Sequence, residues 1–117
     1  MISHDRSLAF PKTCRILSKK DFEYLRDRSS KNSALPLICY SKPSRVGASF
    51  LRLGLSISKK QGSAVQRNRI KRILKEEFRH HPKRHLLSKD ILIVAAQKID
   101  TEESLRLRFK ELMERLK

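Results

Sequence analysis

The residues best suited to phosphate chemistry are gathered between Leu53 and Arg79. Lys59 and Lys60 come first, and Arg67, Asn68, Arg69, Lys71, Arg72, Lys75 and Arg79 follow within one stretch of helical periodicity. At 100° per residue, Ile70, Ile73, Leu74 and Phe78 fall on one side of that helix. Asn68, Lys71, Arg72, Lys75 and Arg79 spread over the opposite side, with Arg69 at one margin and Arg67 near the other. A guanidinium offers phosphate oxygens a planar fork, and a lysine offers a mobile point charge. Asn68 both donates and accepts in the same row. Glu76 is the only acid clearly on this surface, so pairing along the helix leaves most of the charge uncompensated. Crowded like charges oppose folding unless a partner brings counter-charge, which favours a polyanion over a merely solvated face. A membrane-surface helix is the weaker alternative. Its apolar side would need a wide aromatic edge, and here that side is needed for the core.

Other chemistries find little support. His4, His80, His81 and His85 form no metal-ligand spacing. There is no glycine-rich phosphate loop and no nucleophile beside a base, so catalysis by this chain alone is not expected. Cys14 and Cys39 make no C-x-x-C pair and suggest no disulfide framework, which fits a reducing cytoplasm.

Composition sets the frame. The 117 residues suit one domain, and 38% hydrophobic residues suffice for a modest core. Lys and Arg number 28 against 12 acids, a formal charge of +16, which points to nucleic acid as partner. No run approaches the roughly 18 apolar residues of a membrane span. Residues 1–11 carry His4, Asp5 and Arg6, lack a signal-peptide core and read as a flexible tail.

The elements that must position the basic row are legible in outline. Ser18 to Ser30 reads as a short helix with Ser18 as N-cap and Phe22 and Leu25 on one face. Leu35 to Tyr40 reads as a strand, and Ser41 to Ser49 as a loop. Leu51, Leu53, Leu55 and Ile57 alternate with polar or small residues, the mark of a half-buried strand. Ser63-Ala64-Val65-Gln66 is a capping box, so a helix starts there and runs to about His81, before Pro82. Ile91 to Ala96 is uniformly apolar and predicts a central strand covered on both faces. Asp100 and Glu103 predict a reciprocal cap for a terminal helix carrying Leu105, Phe109, Leu112, Met113 and Leu116. The result is an α/β domain of order α-β-β-α-β-α around one mixed sheet. By the general rule its β-α-β unit would be right-handed.

Gly54-Leu55-Ser56-Ile57-Ser58-Lys59-Lys60 followed by Ala64-Val65-Gln66-Arg67-Asn68-Arg69-Ile70-Lys71-Arg72 resembles the signature of the bacterial ribonuclease P protein family. Lys20-Asp21-Phe22 resembles the family's first-helix motif, Leu37 to Tyr40 its aromatic-bearing strand and Asp90 to Ala95 its last strand, so the match spans roughly residues 12 to 116. The resemblance implies an α+β sandwich-like fold with a left-handed β-α-β crossover, against the general rule. It implies a subunit of an endoribonuclease whose RNA carries the catalysis, with magnesium held through that RNA and no cofactor on the protein. The partners implied are the catalytic RNA, bound by Lys59, Lys60 and the helix residues above, and precursor tRNA. The single-stranded 5′ leader of precursor tRNA would lie in a cleft lined by Phe22, Tyr40, Arg52, Ser56 and Ser58, where aromatic rings stack on unpaired bases. Neither a membrane nor a small-molecule substrate is implied. One turn after Phe22, where the family often has a second aromatic, stands Arg26, and the stretch Lys31 to Leu35 lacks an expected Asn-Arg pair. A ribosomal or other structural RNA-binding protein is the alternative of similar size and charge.

Overall fold

The capping box at Ser63 forms as its sequence predicts. Ser63 Oγ accepts from Gln66 N at 3.3 Å, and Gln66 Oε1 accepts from Ser63 N at 2.9 Å. Gly62, at φ +116°, leads into it, and a β-carbon there would collide with the Gln66 carboxamide. A computed structural model describes Arg15 and residues 18–117. The expected N-terminal tail, His4 and Cys14 lie outside the described residues.

In chain order the elements are α1 (Lys19–Arg26), β1 (Ser30–Ala34), β2 (Leu37–Pro43), β3 (Arg52–Ile57), a 3-10 turn (Lys59–Gln61), α2 (Ala64–His80), a second 3-10 turn (Pro82–His85), β4 (Lys89–Ala95) and α3 (Glu102–Arg115). The four strands form one mixed sheet in the order β1-β2-β4-β3. β1–β2 and β2–β4 are antiparallel, while β3–β4 is parallel with α2 as the crossover.

Three expectations shift. The sheet has one strand more than periodicity suggested: Ser30–Ala34 is an edge strand in which only Ala34 is buried. Helix α1 stops at Arg26 instead of Ser30, because Arg28 takes a left-handed φ of 57° and turns the chain into β1. The terminal helix is capped by Thr101, whose Oγ1 accepts from Ser104 N at 3.0 Å, and not by Asp100 with Glu103.

The strand register gives the sheet two unlike faces. Leu37, Cys39, Leu53, Leu55, Ile57, Ile91, Ile93 and Ala95 point to one face, where α2 and α3 cover them with Ile73, Leu74, Phe78, Leu105, Phe109, Leu112 and Met113. Cys39 is a free thiol within this core, and burial pushes its pKa up to about 12, so it serves as a small hydrophobe. Tyr40, Leu92, Val94, Arg52, Ser56 and Asp90 point to the other face, where the only described helix packed is α1. Among the described residues no helix is long and apolar enough to cross a membrane.

Candidate nucleic-acid interfaces

The basic surface is built by α2 with help from the segment before α1. Arg15 bridges to Leu53 at the free edge of β3. Its side chain, with Asn68, Lys71, Arg72, Lys75, Glu76 and Arg79, lines an open groove of about 470 Å³. Burial, and then the charges of Arg15 and Lys71, lower the pKa of Lys75, as expected where like charges crowd together. Glu76 is the one acid in the lining, because Glu77 turns away and accepts from Arg106 at 2.8 Å.

The other expected members of this surface are placed differently. Lys59 and Lys60 are exposed on the 3-10 turn ahead of α2, outside the groove lining. Arg67 lies on one flank, half-buried, with its Nε shielded from solvent and without a hydrogen bond among the described residues. Arg69 lies on the other flank, where both carboxylate oxygens of Glu102 take its guanidinium. That pairing raises the pKa of Arg69 and holds the Glu102 carboxyl below its ordinary value. Arg69 therefore faces α3 across a separate depression and not the groove.

On the opposite face of the sheet, α1 and the strands enclose a cleft of about 290 Å³ lined by Phe22, Leu25, Arg26, Tyr40, Ser56, Leu92 and Val94. Phe22 and Arg26 are one helical turn apart and share a wall. Tyr40, Leu92, Val94 and Ser56 form the floor through their cross-strand register. Arg26 is exposed, and no hydrogen bond or ion pair engages it among the described residues. Tyr24 leaves the cleft: its hydroxyl donates to Pro43 O at 2.6 Å, and Lys42 Nζ sits 4.1 Å over its ring. Ser58 lies past the end of β3 and is not part of the lining.

Arg52 points to the expected face but does not line the cleft. It is 6% exposed, and its guanidinium donates to Asp21 Oδ2 at 2.6 Å and to Asp90 Oδ2 at 3.4 Å. Arg45, from the β2–β3 loop, joins them: its Nε donates to Asp21 Oδ1 at 2.6 Å and its backbone N–H to Asp90 Oδ2 at 3.1 Å. Burial alone would raise the Asp21 pKa, but hydrogen bonds from Arg45, Arg52 and Ser18 outweigh it and hold the carboxyl below its ordinary value. Asp90 goes the other way. Burial raises it beyond what Arg45 and Arg52 recover, and its Oδ1 accepts no hydrogen bond among the described residues.

The sequence and the fold that carry these two surfaces match known proteins. The family model described as Ribonuclease P matches residues 10–117. The chain belongs to the ribonuclease P protein family. It is 38% identical over 86 residues to the ribonuclease P protein component of Staphylococcus epidermidis, covering 74% of this chain and 73% of that one. The solved RNase P protein of Staphylococcus aureus superposes with a TM-score of 0.78 at 32% identity, covering 88% of this chain and 94% of that one. The RNase P protein of Thermotoga maritima shares the fold, with a TM-score of 0.73 at 22% identity over 88% of this chain and 97% of that one. The chain is thus the protein subunit of a bacterial ribonuclease P, a part of an endoribonuclease that works on tRNA, and its partner is the ribonuclease P RNA.

Within this ribonuclease P protein, sequence reasoning missed three lining residues of the two surfaces and an ion network beside one of them. Arg15 joins the groove from outside the helix, and its sequence neighbourhood carries no periodic signal. Leu92 and Val94 form the cleft floor, although an all-apolar strand does not reveal which alternate residues stay half-covered. The ion network joins Asp21, Arg45, Arg52 and Asp90 across four elements, and no local spacing announces such contacts.

Proposed function

We propose that the two surfaces divide the work of the holoenzyme. The groove of α2 faces the catalytic RNA, and the cleft between α1 and the sheet holds the unpaired 5′ leader of precursor tRNA. The observation that carries this reading is the chemical contrast between them. One surface is a cation-lined groove suited to a folded phosphate backbone. The other is a narrow cleft with Phe22 in its wall, Tyr40 in its floor and a single cation, Arg26, in its lining. Aromatic side chains in such a cleft accept bases of any sequence, and a free guanidinium reaches a leader phosphate or stacks on a base. The protein supplies binding, orientation and charge neutralisation, while the RNA and its magnesium ions carry out hydrolysis, in the cytoplasm.

Reconstitution tests this directly. Added to a bacterial ribonuclease P RNA at low magnesium, the protein restores mature tRNA 5′ ends, and the gain is larger for a precursor with a long leader than for one whose leader is too short to enter the cleft. Assembly with the catalytic RNA weakens steeply with salt. About six neutralised phosphates correspond to roughly a thousandfold loss between 50 and 200 mM. Equal gains for long and short leaders would refute the cleft assignment, and a salt-independent affinity would refute the groove assignment.

A further inference from the structure

The cleft depends on the placement of a helix too short to hold itself. Helix α1 has eight residues, below the length at which helices are stable alone. Its one fully buried apolar side chain is Leu25. Its position over the sheet therefore comes from tertiary ties, and these lie at its two ends. At the C-terminal end, Lys42 Nζ donates to the carbonyls of Tyr24 at 3.0 Å and Asp27 at 2.6 Å. At the N-terminal end, the tie is the ion network around Asp21, the residue that immediately precedes Phe22.

We propose that the Asp21–Arg52–Asp90 clasp, with Arg45 as its outer arm, consists of positioning residues for leader recognition, holding Phe22 at a fixed height over Tyr40. The proposal rests on the reading of the cleft as the leader site. Asp21 sits on α1, Arg52 on β3, Asp90 on β4 and Arg45 on the β2–β3 loop, so four elements converge on one point beside the cleft. Asp21, Arg52 and Asp90 are all at least 94% buried. Net stabilisation does not explain such an arrangement, because desolvation of buried ions largely cancels their attraction, and well-packed apolar residues would serve as well. What ions supply that apolar residues do not is direction. The guanidinium of Arg52 bridges two carboxylates on different elements, and a one-residue slip of α1 would break both bonds to Asp21. Arg52 and Ser56 also share one face of β3, so the strand that carries the clasp carries part of the cleft floor.

Asp21→Asn and Arg45→Ala proteins, each reconstituted with the catalytic RNA, test the proposal. Three quantities are compared: affinity for the RNA alone, and KM and kcat for precursors with long and short leaders. Asp21→Asn is expected to erode the long-leader advantage by roughly tenfold to a hundredfold, the scale of an ångström-sized misplacement. RNA affinity and short-leader cleavage stay as in the wild type. Arg45→Ala produces a smaller loss in the same direction. Because Arg45 is partly exposed and leaves the Arg52 bond intact, it keeps the test sharp if Asp21→Asn fails to fold. In a Tyr40→Ala background the Asp21→Asn loss largely disappears, since both changes remove the same cleft function. Equal losses on long and short leaders, or strictly additive losses in the double variant, would reduce the clasp to general scaffolding and overturn the proposal. Should Tyr40→Ala abolish the long-leader advantage while both clasp variants keep it, the clasp alone is refuted. If Tyr40→Ala itself retains the advantage, the leader reading fails and the clasp proposal falls with it.

Discussion

The two faces of the sheet use opposite means to hold helices. On the closed face, α2 and α3 seal a continuous apolar core that includes Phe78 and Phe109, both fully buried. On the open face, Leu25 and Leu92 are the buried members of a small cluster, and Phe22, Tyr24, Tyr40 and Val94 are left half-covered around it. The closed face obtains its strength from area, which is non-directional. The open face substitutes a few directional ion pairs for area and so keeps aromatic rings within reach of a ligand. A binding cleft on a small domain requires this trade, because every ring sealed in the core is lost to recognition.

The sharpest way to break the contrast is on the closed face. Phe109→Ala should cost about 3–5 kcal/mol, the range for removing a large buried ring. In urea unfolding it should leave a domain of this size marginal or unfolded. Arg52→Ala attacks the open face where it is dry. Leaving Asp21 and Asp90 without their shared cation should cost on the order of 3 kcal/mol, while Arg52→Met, which keeps the stem and loses the charge, tests whether one remaining arginine suffices for Asp21. Tyr40→Ala should behave as the reverse of Phe109→Ala. Its expected loss is about 1–3 kcal/mol of leader binding with a nearly unchanged melting temperature, and a large drop in melting temperature instead would move Tyr40 into the core.

The smallest expected effect is in the pH dependence. The folded pKa of Asp21 lies below its unfolded value, so its contribution is present above about pH 4 and is lost as pH falls through the folded value. Asp90 is raised, so its contribution has the opposite sign: present at acid pH and lost as pH rises through its folded value. The two act in adjacent windows, Asp21 below and Asp90 above the ordinary carboxylate value. In urea titrations between pH 3 and 7, Asp21→Asn should shrink the acid-side loss, of which the exposed Glu102–Arg69 pair keeps a small share. An unchanged acid limb would show that Asp21 is not held ionised by its arginines.

Much of this architecture was legible because its signals are local. The capping box needs only Ser63 and Gln66, and the basic row of α2 needs only helical spacing. The alternation from Leu51 to Ile57 identified β3 and the face its leucines seek. What escaped was decided at a distance. β1 reads Ser-Lys-Asn-Ser-Ala, and only pairing with β2 makes it a strand. Arg69 looked like one more cation for the RNA until α3 brought Glu102 beside it. Arg52 looked like a cleft residue because its alternation was right, but two carboxylates distant in sequence claimed it. The Asp21–Phe22 pair shows both cases at once: adjacent in sequence, one residue anchors α1 and the next lines the cleft.

The strand order has a consequence for how the protein is made. β2 and β3 never touch as neighbours, and both pair with β4, which comes after them in the chain. As the polypeptide emerges from a ribosome, the residues of β1, β2, β3 and α2 appear before the strand that joins β2 to β3. Until residues 89–95 are out, β3 has no described strand partner, Leu92 is absent beneath Leu25, and Arg52 lacks Asp90. During that interval α2 carries its charges without the sheet that anchors it, and closing both long loops waits on one late segment. RNA encountered then would meet a cationic helix without a cleft. Order of synthesis alone therefore completes the chain of the basic helix first and the floor of the aromatic cleft last.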